Sequence, residues 1–348
     1  MALRDNKRLY DISTRLAVYV ERVKVSQARQ FNNVLQELDE EFRKLLGRTD
    51  YRNLDALSKA KLNKLIVELR DSQSKVYSAY TQRLISQLQK FMHFDLAVNR
   101  RVWVSAFKES EIGESEKPFS DEDSKEFLLG LYKGASGSAT EDGKVWTQIT
   151  NAPIPANGLY LVPFLKVFST SAQAGVENLV RKAWANKWSF EQLMNELTNG
   201  QVNKIRNQAT SVIHTAIAHV AGIVSGNVQS ILFDYYVWVS VMDSHTTDIC
   251  RGRNQKVYRS GKGPLPPAHI RCRSHTVPSK GNNDTIAETF YAWLIRQPDD
   301  IQIETVGKKG YEKLKAGTLK AADVSKYEVT EPLSFEEFAA KVEKILSR

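Results

Sequence analysis

The sequence predicts a mainly α-helical α+β protein: a helical N-terminal region, then a smaller α+β domain holding a Gly/Pro-rich Cys/His loop. Three observations predict it. Apolar residues recur at steps of three and four from residue 9 to about residue 107, the period of a helix that buries one face. One aromatic and β-branched run, residues 233–242 (FDYYVWVSVM), reads as a strand ending at Asp243. From there to about residue 280 the chain is rich in Gly, Pro and charge, has no period, and contains both cysteines, Cys250 and Cys272.

A length of 348 residues with 42% apolar and 26% charged side chains is ordinary globular usage, enough for two domains and a sizeable core. The expected division is 1–108 as a helical hairpin or bundle, 109–165 as an acidic and Gly/Pro-rich connecting region, and 166–348 as the α+β domain. Phe31, Leu35, Leu38, Phe42 and Leu45 form the first apolar stripe, closed by Gly47. Leu62, Leu65, Ile66 and Leu69, then Val76, Tyr77, Tyr80, Leu84 and Leu88, continue the same period, so two or three helices packed as hairpins are expected. The stripe is too irregular to favour a coiled coil. Residues 109–126 carry eight carboxylates broken by Gly113 and Pro118, the pattern of a solvated acidic excursion.

Helical patterning resumes at Val176, Leu179, Val180 and Trp184, and Ser189-Phe-Glu-Gln192 is a capping box that opens a helix expected to stop at Asn199-Gly200. Val202, Ile205, Ala209, Val212, Ala216, Val220 and Ile223 mark a longer helix. His214 and His219 lie five apart on it, about 140° around the axis, which suits packing or surface side chains and not joint metal ligands. Helical patterns at 289–296 and 310–314, and a second capping box at Ser334-Phe-Glu-Glu337, complete the chain. No apolar stretch approaches the roughly 20 residues that span a bilayer. Asp11 and Arg15 interrupt the run a signal peptide would need. The expectation is a chain with no membrane span, made in and kept in the cytoplasm.

The net charge of +9 points to a polyanionic partner, and the excess is concentrated. Residues 249–283 hold Arg251, Arg253, Lys256, Arg259, Lys262, Arg271, Arg273 and Lys280 with no carboxylate. Such a run can neutralise phosphates or meet an acidic protein surface, and it equally suits a solvated loop.

Two cysteines cannot build a disulfide framework. Both, with three of the six histidines, fall between Asp243 and His275. The order Cys250, eighteen residues, His269, two residues, Cys272, two residues, His275 supplies two thiolates and two imidazoles, a set that suits tetrahedral zinc. Asp243 or His245 can replace one ligand; the alternative is a metal-free loop with two buried thiols. HExxH, GxSxG, Walker A and GxGxxG are all missing from the sequence, so no enzymatic activity is expected. The rival reading is a zinc-dependent nuclease or other nucleic-acid-processing enzyme, built on Asp243, Cys250, His269, Cys272 and His275, in which Asp243 or His275 acts as general base.

The strand ending in aspartate, Asp243-x-x-Thr246-x-x-x-Cys250, the Gly/Pro bridge, and Pro266-Pro267-x-His269-x-x-Cys272-Arg273 resemble the minor head proteins of tailed bacteriophages, the family named for the phage Mu head morphogenesis protein. The likeness continues through Trp293-Leu294-x-x-Gln297-Pro298, Gly307-Lys-Lys, Leu314-x-x-Gly317 and Leu333-Ser-Phe-Glu-Glu, covering about residues 170–340. The chain departs from the family pattern with His245 in place of an arginine and Ser274 in place of a cysteine. The resemblance implies a virion component, several copies per particle, in the capsid interior or at the portal vertex. It would be associated with the portal protein, other virion proteins or packaged double-stranded DNA, and needed for head assembly, genome packaging or delivery. The basic run would then contact packaged DNA without reading its sequence.

Overall fold

The computed structural model describes residues 2–49, 51–112, 140–281, 288–326, 332–334 and 337. The elements in order are α1 (Ala2–Leu46), α2 (Lys59–Ile112), α3 (Thr140–Asn151), α4 (Leu161–Ala185), α5 (Phe190–Asn195), α6 (Val202–Leu232), β1 (Tyr235–Val239), α7 (Asp248–Arg253), β2 (Val257–Arg259), β3 (His275–Ser279), α8 (Phe290–Ile295) and α9 (Asp299–Lys315). The protein is mainly helical α+β, with one small antiparallel sheet among the described residues. Most of the acidic segment 109–126 lies outside the described residues.

The chain forms two compact units assembled from separated stretches: Gln27–Gln87 with Tyr160–Ile213, and Met1–Ser26 with Leu88–Leu159 and His214–Arg348. This division differs from the linear ranges 1–108, 109–165 and 166–348 because α1, α2 and α6 each supply residues to both units. Residues 140–151, expected within a connecting region, instead form helix α3.

In the first unit α1 and α2 pair antiparallel. Gln30 bonds Gln87, Glu41 bonds Ser72 and Glu68 bonds Arg48, so one number falls as the other climbs. The expected stripe closes over Phe31, Tyr77, Tyr80 and Phe168, whose rings meet edge to face, an arrangement favoured by the ring quadrupoles. Ser189 and Gln192 form the predicted capping box. The expected stop at Asn199-Gly200 does not occur: Glu196–Gln201 make a π-helical turn with helical dihedrals on both sides, and α5 runs on into α6. One wide turn absorbs the extra residue without breaking the backbone ladder.

The second unit holds the sheet, ordered β2-β1-β3. Central β1 is shorter than residues 233–242 and aligns Val237 with both Val257 and Val277. Strands β2 and β3 were not legible in the sequence. Three residues are too few for a period, and β3 (HTVPS) carries Pro278, which an edge strand tolerates. Helix α9 is broken at Gly307, whose φ of 67° is open to glycine without strain. α8 lies against the first half of α1, where Trp293 Nε1 and Gln297 Nε2 both donate to Asp11 Oδ1. The second capping box is present at Ser334 and Glu337.

By length and composition alone the run Phe190–Leu232 could cross a membrane, with a mean hydropathy of 1.3 over its most apolar window; 61% of that window is buried within the protein, as in a core helix.

Candidate metal centre

The strand β1 delivers the chain to a network built on Ser240 and Asp243. Ser240 Oγ accepts from Trp238 Nε1 at 3.0 Å, donates to the Cys250 carbonyl at 3.1 Å and lies 2.9 Å from Ser274 Oγ. Asp243 accepts the His245 amide and the Thr246 hydroxyl on Oδ1. Arg273 then grips both its oxygens, Nη1 to Oδ2 and Nη2 to Oδ1, each at 2.7 Å. Burial raises the Asp243 pKa, but the Arg273 bonds outweigh it and hold the carboxyl below its ordinary range. Arg251 donates to the carbonyls of Thr246 and Asp243, both at 2.9 Å. The turn after β1 is thus tied to the segments that carry Cys250 and Cys272.

The returning chain is laid on α6. A Cβ on Gly222 would stand 2.1 Å from the Pro266 carbonyl oxygen, so only glycine admits this backbone contact. Arg271, at a φ of 59°, turns the chain between His269 and Cys272 while its amide donates to Thr215 Oγ1 at 3.1 Å. Within this frame Cys250 and Cys272, each 1% exposed, pack with Trp238 and Ala268.

The two sulfurs are free thiols 3.7 Å apart. Two thiolates bound tetrahedrally at about 2.3 Å from one zinc ion stand about 3.8 Å apart, so the pair already has the spacing such an ion requires. The ligand atoms of Cys250, His269 and Cys272 all lie within 4.8 Å of one another. His269 Nδ1 is 2.9 Å from the Ile270 carbonyl oxygen, the outer contact that fixes a ligating imidazole and leaves its other nitrogen for a metal. The bond from Cys250 draws the Cys272 pKa far below the usual thiol value against the penalty of burial, with His269 adding to the effect. The same bonds push Cys250 and His269 up. Two thiol groups and an imidazole this close compete for protons, and a divalent cation would take the place of those protons.

Three of the six expected ligands are therefore together and three are not. His275 opens β3 and puts Nε2 3.3 Å from Thr14 Oγ1; burial holds its pKa down to about 4. Asp243 is bound by Arg273, and His245 is exposed. Ser274 and Thr247 hydroxyls border Cys250 instead. Ser240 and Asn254, whose Oδ1 accepts from the Ser240 amide at 2.9 Å, were missed by sequence reasoning, because ordinary polar residues in a turn carry no spacing signal. His219, read as a packing or surface residue, is buried and 3.0 Å from the Ile149 carbonyl oxygen.

The basic run divides in two. Arg251 and Arg273 hold the turn, and Arg253 lies over the Trp238 ring at 5.1 Å. Lys256, Arg259, Lys262 and Arg271 are exposed, the first three around edge strand β2. No family model matches the chain, and no curated protein and no solved structure matches it.

Proposed function

We propose that this chain is a minor head protein of a tailed bacteriophage, with a structural role at the portal vertex or capsid interior, and that Cys250, His269 and Cys272 bind zinc as a staple for its loop. One observation carries the reading: the residues of the head-protein resemblance, Asp243, Thr246, Cys250, His269, Cys272 and Arg273, are those that build one hydrogen-bonded and thiol-lined module. Buried thiolates suit a structural zinc site better than a catalytic one with an open position. The nuclease alternative has less support, since of its two base candidates Asp243 already accepts two bonds from Arg273 and His275 lies outside the thiol cluster with Nε2 3.3 Å from Thr14 Oγ1.

In this role the portal protein and other virion proteins are the partners, several copies enter each particle, and packaged double-stranded DNA meets Lys256, Arg259 and Lys262. The decisive experiment is mass spectrometry of purified virions, with capture of the full chain by the portal protein of the same phage. The reading expects the chain in the particle at a few copies relative to the major capsid protein, and retention on the portal. Absence from virions overturns it.

A further inference from the structure

A second polar site lies in the same unit. Helices α1, α2 and α6, with Pro266 and the start of β3, line a partly open cavity of about 70 Å3, whose walls include Leu16, Val20, Ala218, Ala221 and Trp103. Three buried polar atoms that have no hydrogen-bond partner among the described residues belong to residues lining it: Ser13 Oγ, Asp95 Oδ2 and His275 Nδ1. Buried polar groups are nearly always satisfied, so three orphans on one cavity call for an occupant. Asp95 is only 3% exposed. Its other oxygen accepts from Asn99 Nδ2 at 2.9 Å, and Asn99 Oδ1 in turn accepts from Trp103 Nε1, a ladder along α2 that fixes the carboxyl.

All three orphans can accept hydrogen bonds. Asp95 and Ser13 present oxygen, and His275 presents the Nδ1 lone pair when Nε2–H donates to Thr14 Oγ1. The cations that line the cavity already have acceptors: Lys24 Nζ binds Glu21 Oε1 at 2.5 Å and the Cys272 carbonyl at 3.3 Å, and Arg273 binds Asp243. Lys24, Arg273, Glu21, His275 and Asp95 are the charged and titratable groups of the lining, and Asp95 is the carboxyl among them that makes no ion pair with any described residue. An ammonium group offers three N–H donors to three acceptors, and aliphatic walls suit a short alkyl stem.

We propose that this cavity binds a small primary alkylammonium, its N–H groups taken by Asp95 Oδ2, Ser13 Oγ and His275 Nδ1. The site borders the thiol cluster without including its ligand atoms, and it does not depend on the head-protein reading. Water alone would also satisfy the three orphans, and the experiment distinguishes the two occupants.

The test uses the full chain at pH 8 and measures calorimetric binding and the thermal midpoint with methylammonium chloride. Tetramethylammonium chloride and sodium chloride at equal ionic strength are controls, because neither carries an N–H group. Methylammonium is expected to bind and raise the midpoint, the controls to leave it unchanged, and Asp95→Asn to weaken binding by about tenfold or more, the scale of a lost charge-assisted bond. Where Asp95→Asn does not fold, Ser13→Ala decides by the same criterion with a smaller expected loss. No shift with methylammonium, an equal shift with either control, or wild-type affinity in the variant that folds overturns the proposal.

Discussion

Arg273 and Asp243, thirty positions apart in sequence, meet side by side with both guanidinium-to-carboxylate bonds at 2.7 Å and the Asp243 side chain fully buried. The pair joins the end of β1 to the residue that follows Cys272, so it sets where one thiol stands relative to the other. Replacing Arg273 strands a buried carboxylate. Arg273→Ala is expected to cost about 3 kcal/mol in urea denaturation, less for Asp243→Asn, and the double variant should cost less than the sum. Additive losses would show that the two do not act together.

Zinc content is the next test. Elemental analysis of the purified chain is expected to find one zinc ion per chain, lost in Cys272→Ser and reduced in His269→Ala. Chelation should lower the thermal midpoint of the wild type and leave Cys272→Ser unmoved, because metal affinity adds to folding stability only where the ligands exist. Metal retained by Cys272→Ser would place it elsewhere.

The proposed contact with DNA rests on the exposed cations Lys256, Arg259 and Lys262 and not on the whole basic run. Lys256→Gln, Arg259→Gln and Lys262→Gln together should flatten the slope of log affinity against log salt by about 3, one for each phosphate contact removed. Arg251, Arg253 and Arg273 are poor choices for this test, since their loss disturbs the fold. An unchanged slope in filter binding leaves these cations with the other role of edge charges, guarding β2 against pairing with another chain.

Asp95 gives a pH signature. Burial, partly offset by Asn99, raises its pKa from 3.8 to about 8, so the folded chain keeps a proton that the unfolded chain has released. Its contribution is full below pH 4 and is lost as pH rises towards 8. Asp95→Asn removes that loss, so the variant's stability relative to wild type should climb across pH 5–8 by at most about 1.4 kcal/mol per pH unit. His214 and His275 act in the opposite sense: burial lowers them from 6.5 to about 3 and about 4, so they cost stability as pH falls below 6.5. Denaturation midpoints of both proteins across this range check the difference, and a constant gap would refute the buried charge.

Gly222 tests the seat of the loop. Gly222→Ala must push the Pro266 carbonyl away, which should destabilise by roughly 1–3 kcal/mol and weaken zinc retention. Gly252→Ala, in α7 with nothing within 4 Å of its added Cβ, is expected to be neutral or slightly stabilising. Equal behaviour of the two variants would remove the loop's dependence on that contact.

Much of the helical architecture was readable because it rests on period. Phe31, Tyr77 and Tyr80 repeat at the helical interval, and an interval of that kind survives in any compact packing. Ser189 with Gln192, and Ser334 with Glu337, were readable because a capping box is a contact three residues long. The run through Gly200 was not, since a π-turn and a helix stop share the same local residues. Strands β2 and β3 were hidden for a related reason: each exists by pairing with β1, and that pairing is not encoded in three or five residues.

At the site, the sequence by itself determined which side chains with metal chemistry lie near one another along the chain, and that Cys250, His269 and Cys272 were among them. Only the tertiary structure decided that His275 turns to Thr14 and that Asp243 belongs to Arg273. It also decided that Asp95, Ser13 and His275, from three distant segments, face one cavity. Spacing supplies candidates because nearby residues share a loop. The choice among them follows from burial and hydrogen-bond satisfaction, which are properties of the packed chain.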